Sequence, residues 1–164
     1  MAELKDSGNR TTFSTGAVRD LQDSKGRCDL LPLDIIYDSM NYIDDPLKDV
    51  LMYIHEFKQS GESVHLLCAL DLFRRVVWKN RETMFLELSE HYRDGCKKYG
   101  ENNWQKGIPT KNYINSAIRH LFKYMRGDKD EPHDRAFAWN ITCCVWTCVH
   151  KPELNDYTRD KNES

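Results

Sequence analysis

Apolar positions in this chain recur three and four residues apart, and nowhere does a sustained apolar–polar alternation appear, so the pattern predicts helices. Residues 29–43 gather Leu30, Leu31, Leu33, Ile35, Ile36, Met40 and Ile43, with Pro32 suited to a first helical turn. Asp45-Pro46 opens a second run through Leu47, Val50, Leu51, Ile54 and Phe57, which Gly61 stops. A third, over 62–78, places Leu66, Leu67, Leu70, Phe73, Val76 and Val77 at helical spacing. The fourth covers 81–99 and ends at Gly100; the fifth covers 111–125 ahead of Gly127. The sixth opens at Asp130-Glu131-Pro132 and runs to about residue 149. Between the fourth and fifth, ENNWQKGIP (101–109) reads as a loop. The expected fold is all-α: a bundle of about five to six helices in one domain over 13–150, with 36–84 as an extra helical region. The polar ends, 1–12 and 151–164, are expected to be flexible tails.

Composition narrows the class without changing the fold. At 164 residues the chain can bury one core unaided. A formal charge of −2 argues against a binder of nucleic-acid polymers, which needs a basic excess, but leaves room for a few local cations around a small anion. No apolar run reaches membrane-spanning length and no signal-like segment opens the chain, so the expected setting is the cytoplasm. Cys143, Cys144 and Cys148 share one apolar stretch, Cys28, Cys68 and Cys96 are scattered, and no C-x-x-C pair occurs. Reduced thiols fit this better than a disulfide framework or a zinc site.

Three helices could carry chemistry. On the fourth, Phe85, Leu88, Tyr92 and Cys96 are spaced as a core stripe, while Glu87, Glu90, His91 and Asp94 share the opposite side. Carboxylates packed that closely repel unless a cation lies among them, and Mg²⁺ takes such oxygen ligands. The sixth helix is apolar nearly all round, as a central helix would be, yet it begins with Asp130, Glu131, His133 and Asp134, more acid than capping needs. Glu87-x-x-Glu90 with Glu131-x-x-Asp134 could hold metal on a triphosphate. The fifth helix lines Asn112, Ser116, Arg119, His120 and Lys123 along one side, a row of donors and cations for phosphate oxygens. Lys97, Lys98, Lys106 and the loop residue Trp104 could add phosphate contacts and a stacking surface for a base. Arg19, Lys25, Gly26 and Arg27 form a basic arm without P-loop spacing.

The stretch KYGENNWQKGIPTKNYINSAIRHLFKYMRGDKDEPHDRAFAWN (98–140) closely resembles the dATP/dGTP diphosphohydrolase family, found mainly in phage genomes. LELSEHYRDGCKKYG and SKGRCDLLPLD resemble it too. The resemblance implies a MazG-like helical fold and hydrolysis of a nucleoside triphosphate, here a purine deoxynucleotide, to monophosphate and pyrophosphate with Mg²⁺ or Mn²⁺. It also implies a homo-oligomer, a dimer or dimer of dimers, in the host cytoplasm. Glu87, Glu90, Glu131 and Asp134 would be the metal carboxylates, with Asp94 and Asp130 as alternates. Glu87, Glu90 and His133 are then the candidate catalytic groups, and Lys25, Arg27, Lys98, Asn103, Trp104, Arg119, His120 and Lys123 the substrate-binding ones. A protein of the same architecture that only sequesters a nucleotide would keep the cations and dispense with the acids.

Overall fold

The computed structural model describes residues 8–41 and 44–158, and these form an all-α bundle with one small hairpin. Six α-helices follow in order: α1 (Leu33–Ser39), α2 (Lys48–Ser60), α3 (Val64–Val77), α4 (Arg81–Tyr99), α5 (Thr110–Arg126) and α6 (His133–His150). Their ends obey local chemistry. Asn80 accepts the Thr83 amide at 2.8 Å to start α4, and Gly61 and Gly127 close α2 and α5 in the left-handed region at φ 73° and 87°. None of the described helices is long and apolar enough to cross a membrane.

The core is centred on α5 and α6. Tyr113, Ile114, Ala117, Ile118 and Leu121 from α5 meet Phe137, Ile141, Cys143 and Cys144 from α6, all fully buried. Val50, Leu51, Ile54 and Phe57 of α2, with Leu66, Ala69 and Phe73 of α3, belong to that same core. Phe73 joins the layers through its ring contacts with Phe137 at 4.3 Å and Tyr124 at 5.5 Å. Burying these rings against one another gives α6 the surroundings its apolar body demands. All six cysteines are free.

Four local expectations change. Residues 29–32 are not part of the α-helix: Cys28–Leu30 form one 3₁₀ turn and Leu31 is extended (ψ 139°), because the proline ring of Pro32 disfavours a helical residue before it. Ile43 lies outside the described residues. The core stripe of α4 is Met84, Leu88 and His91, not one that includes Phe85, which is 57% exposed; the helix is turned by one residue so that a histidine faces inward. Strands do occur. β1 (Arg10–Thr12) pairs antiparallel with β2 (Val18–Asp20) around a turn closed by Phe13 N–H to the Ala17 carbonyl at 2.9 Å. Three residues are too few for alternation to register. The expected tails are thereby shortened, since Arg10–Thr12 is paired and residues 152–158 are also built in. There, Asn155 donates to the Gly61 carbonyl at 2.9 Å, and Gly61 lies so close to Tyr157 that a Cβ would stand 2.8 Å from its carbonyl oxygen. Residues 1–7 and 159–164, the rest of those tails, lie outside the described residues.

Candidate functional site

A cavity of about 630 Å³ opens between the hairpin, the Lys25-Gly26 loop, α4, α5 and the start of α6. That size suits a small-molecule ligand. The hairpin, and the turn at Cys28 that follows it, are held by side-chain amides. Asn103 accepts the Val18 amide at 2.9 Å and returns a bond to the Val18 carbonyl at 2.7 Å, taking the place of a third strand. Asn115 accepts the Cys28 amide at 2.8 Å. Asn140, buried in the middle of α6, accepts from Arg19 Nη2 at 2.6 Å.

Cations dominate one wall. Arg19, Lys25, Lys98, Arg119 and Lys123 line the cavity together with only three carboxylates, Asp20, Asp130 and Glu131. Lys98 is paired with Asp20 at 2.5 Å and Lys123 with Asp130 at 3.3 Å. Arg19, Lys25 and Arg119 have no carboxylate partner among the described residues. Arg19 is 9% exposed and lies over the Tyr113 and Trp139 rings at 5.3 and 5.8 Å; its Nη1, like Nε of Arg119, has no hydrogen-bond partner in the structure. Burial lowers the pKa of all three, and for Lys25 the neighbouring Arg119 lowers it further. A guanidinium stays charged regardless, so the wall carries uncompensated positive charge in a chain that is net negative.

Beside these cations lies an imidazole–carboxylate cluster. His133, whose side chain is 1% exposed, hydrogen-bonds through Nε2 to Asp130 Oδ1 at 2.7 Å. Its Nδ1 stands 2.9 Å from Nδ1 of His120, which borders the cavity. Glu131 completes a set in which one ligand atom each from His120, Glu131 and His133 lie within 4.8 Å of one another. Burial, and next the proximity of His133, hold His120 well below the usual imidazole pKa, so it is neutral near pH 7.

The remaining expected residues are placed elsewhere. Glu87 and Glu90 both bind Arg135, at 2.5 Å to Nε and 2.7 Å to Nη1, and neither lines the cavity. Asp94 pairs with Arg93 at 3.0 Å. Asp134 accepts the Arg135 amide at 2.8 Å, a helix-start role. Arg27 forms a two-bond pair with the buried Asp29 and does not line the cavity. Trp104 packs edge-on against Tyr92 and Trp146 at 5.5 and 5.1 Å, as an anchor for its loop. Lys25, Lys98, Asn103, Arg119, His120, Lys123, Asp130 and Glu131 do come together on the cavity. Sequence reasoning missed Arg135, Trp139 and Asn140. Asn140 had a signal, an amide in the centre of an otherwise apolar helix.

Compared with known families, residues 65–157 match the model of the dATP/dGTP diphosphohydrolase, N-terminal, family. The chain belongs to that family. The span of the diphosphohydrolase match takes in α4 to α6 and with them both the imidazole–carboxylate cluster and Arg119, while Arg19 and Lys25 stand ahead of it. No curated protein and no solved structure matches the chain.

Proposed function

We propose that the cavity binds a purine deoxynucleoside triphosphate and hydrolyses it to monophosphate and pyrophosphate. The observation that carries this reading is the trio Arg19, Lys25 and Arg119, partly or wholly buried on the cavity without carboxylate partners and near the His120–Glu131–His133 cluster. Buried charge without a counter-charge is costly, and a polyphosphate would supply it. The family name points to the same substrate class.

In this scheme Arg119, Lys25 and Lys123 grip phosphate oxygens, and Arg19, fixed by Asn140 and two aromatic rings, adds charge where the leaving pyrophosphate develops it. Val18, Ile108 and Trp139 offer the apolar surface that a base needs. One water adds across the bond between the first and second phosphates, and the two products leave. His120, Glu131 and His133 would hold the divalent ion, Mg²⁺ or Mn²⁺. Such an ion, when bound, neutralises phosphate charge and makes a bound water more acidic. Asp130 accepts from Nε2–H of His133, which leaves Nδ1 of that ring as its basic nitrogen.

The test is to incubate the protein with each common NTP and dNTP plus Mg²⁺ or Mn²⁺ and resolve the products by chromatography. Monophosphate and pyrophosphate in equal amounts, lost with EDTA and in Glu131→Gln, is the expected result. Intact nucleotide retained on the protein would replace hydrolysis with sequestration, and no binding at all would remove both.

A further inference from the structure

We propose that Gly95 sets the size of the base this cavity accepts: its missing side chain leaves a recess on α4 that a two-ring base fills and a one-ring base does not reach. This rests on the reading of the cavity as a nucleoside triphosphate site and names the residue that selects the base within it.

Gly95 has no reason in the fold to be glycine. It is the only glycine inside a described helix, one turn before the end of α4. Its φ lies outside the left-handed region, so the backbone does not require it. Alanine is the better helix former at such a position. Close packing does not require it either, because a Cβ built there meets nothing within 4 Å beyond its own helix backbone. What the missing side chain provides is space.

That space lies at a junction. Gly95 lines the cavity of about 630 Å³ and also a second cleft of about 300 Å³, and Tyr99, Asn103 and Trp139 line both as well. His91 and Tyr99 stand one turn before and one turn after Gly95 on the same side of α4, so the gap between them is one residue wide. The wall beside it is aromatic. Trp139 lies 5.6 Å from the His91 ring and 6.2 Å from Tyr92, and Trp104 continues the row at 5.5 Å from Tyr92.

The chemistry of this end suits a base and not a phosphate. Its cations are matched, Lys98 with Asp20 at 2.5 Å and Arg93 with Asp94 at 3.0 Å. The Asn103 amide is spent on the Val18 backbone. Ring faces remain, in contrast to the Arg19, Lys25 and Arg119 part of the cavity, and they suit an uncharged planar ring. His91 adds an enclosed Nδ1 without a hydrogen-bond partner, a polar atom that the edge of a heterocycle can satisfy.

The experiment compares the full chain with Gly95→Ala and Gly95→Leu by calorimetric titration in Mg²⁺. The probes are α,β-methylene dGTP, α,β-methylene dCTP and inorganic triphosphate; the methylene bridge prevents cleavage, and the last probe has no base. Gly95→Ala should raise the thermal midpoint by about 2–4 °C and yet bind the dGTP analogue on the order of 10-fold more weakly, with about 100-fold in Gly95→Leu. The dCTP analogue should lose less than about threefold, and inorganic triphosphate should stay within about twofold of wild type. A stabilised Gly95→Ala that binds the dGTP analogue as wild type does, or loses inorganic triphosphate equally, overturns the proposal. A lowered midpoint overturns it by making the glycine structural. A changed assembly in sedimentation velocity overturns it by giving the gap to a second copy of the chain. Wild type that binds neither nucleotide analogue nor inorganic triphosphate sinks the nucleotide site and this proposal together. Indifference of a nucleotide-binding protein to Gly95→Ala sinks this proposal alone, and a base-selective protein that leaves dGTP intact sinks only the hydrolase reading.

Discussion

Glu87 and Glu90 on α4 and the pair Asp130–Glu131 in the bend just before α6 are both close sets of acids, and they end in opposite situations. The first pair converges on Arg135, whose guanidinium takes both carboxylates. The second pair meets two imidazoles and an open cavity that also holds unpaired cations. Spacing along a helix establishes which acids are neighbours; it says nothing about what stands opposite them. An arginine opposite completes the charge and makes a brace between α4 and α6. An imidazole opposite leaves donor capacity that a metal ion can use.

The strongest way to break this contrast is to neutralise one member of each cluster and compare turnover. Glu131→Gln and His120→Asn are expected to lower kcat on the order of 10³-fold, the scale of a lost electrostatic contact to the reacting groups. Their thermal midpoints should stay within a few degrees of wild type. A loss of that size in Glu87→Gln, with Glu131→Gln unaffected, would invert the comparison and return the metal to α4.

The next effect concerns His91, which lines the cavity. Burial, opposed by Asp94 on its own helix and reinforced by Arg135 from α6 and Arg19 from β2, lowers its pKa from 6.5 to about 4. Trp139 lies against its ring at 5.6 Å. The folded protein keeps this imidazole neutral while the unfolded chain takes up a proton below pH 6.5. Its contribution is therefore complete above that pH and is lost as pH falls toward about 4. Across this window the loss should approach about 3 kcal/mol, at about 1.4 kcal/mol per pH unit. Urea denaturation at a series of pH values should show that slope reduced in His91→Phe relative to wild type. Parallel curves for the two proteins would mean His91 titrates normally.

Much of the fold was legible because helices announce themselves by period: α4 begins at Arg81 and ends at Tyr99 as its stops require, and α5 differs by one residue at each end. The hairpin was not, because Val18 is paired through Asn103, a residue 85 positions away. About half of the candidate site was legible for a related reason. Arg119, His120 and Lys123 follow from helical spacing, and Asp130 and Glu131 stood out as excess acid. The fate of Glu87 and Glu90 hung on Arg135, one residue in a dense run of charges whose direction only tertiary packing determines.

A smaller effect should follow from loosening the hairpin that carries Arg19. Asn103→Ala removes two hydrogen bonds to the Val18 backbone and leaves those groups facing a buried space. A cost of about 2 kcal/mol is expected. Amide exchange should locate it: Val18 loses protection while Ile114 and Ile118 in the core keep theirs. If the core amides exchange as fast as Val18, the hairpin is not a separate strap and the asparagine supports the whole bundle.

The smallest expected effect belongs to the α4 brace, and it completes the comparison. Glu87 and Glu90 side chains are 32% and 38% exposed against 16% for Arg135, so water screens both contacts. Pairs of this kind contribute up to about 1 kcal/mol each. Glu90→Gln should therefore lower stability by under about 1 kcal/mol and leave kcat within about twofold of wild type. Arg135→Met should cost more than either acid, because it leaves two carboxylates side by side with no counter-charge. That ordering is the signature of a brace. Were the acids metal ligands instead, removing the arginine would free them for metal, and Mn²⁺ affinity would rise in Arg135→Met. Titrating Mn²⁺ into Arg135→Met and Glu90→Gln by electron paramagnetic resonance separates the two: unchanged affinity in both keeps the metal on the imidazole cluster, while a gain in the first and a loss in the second moves it to α4.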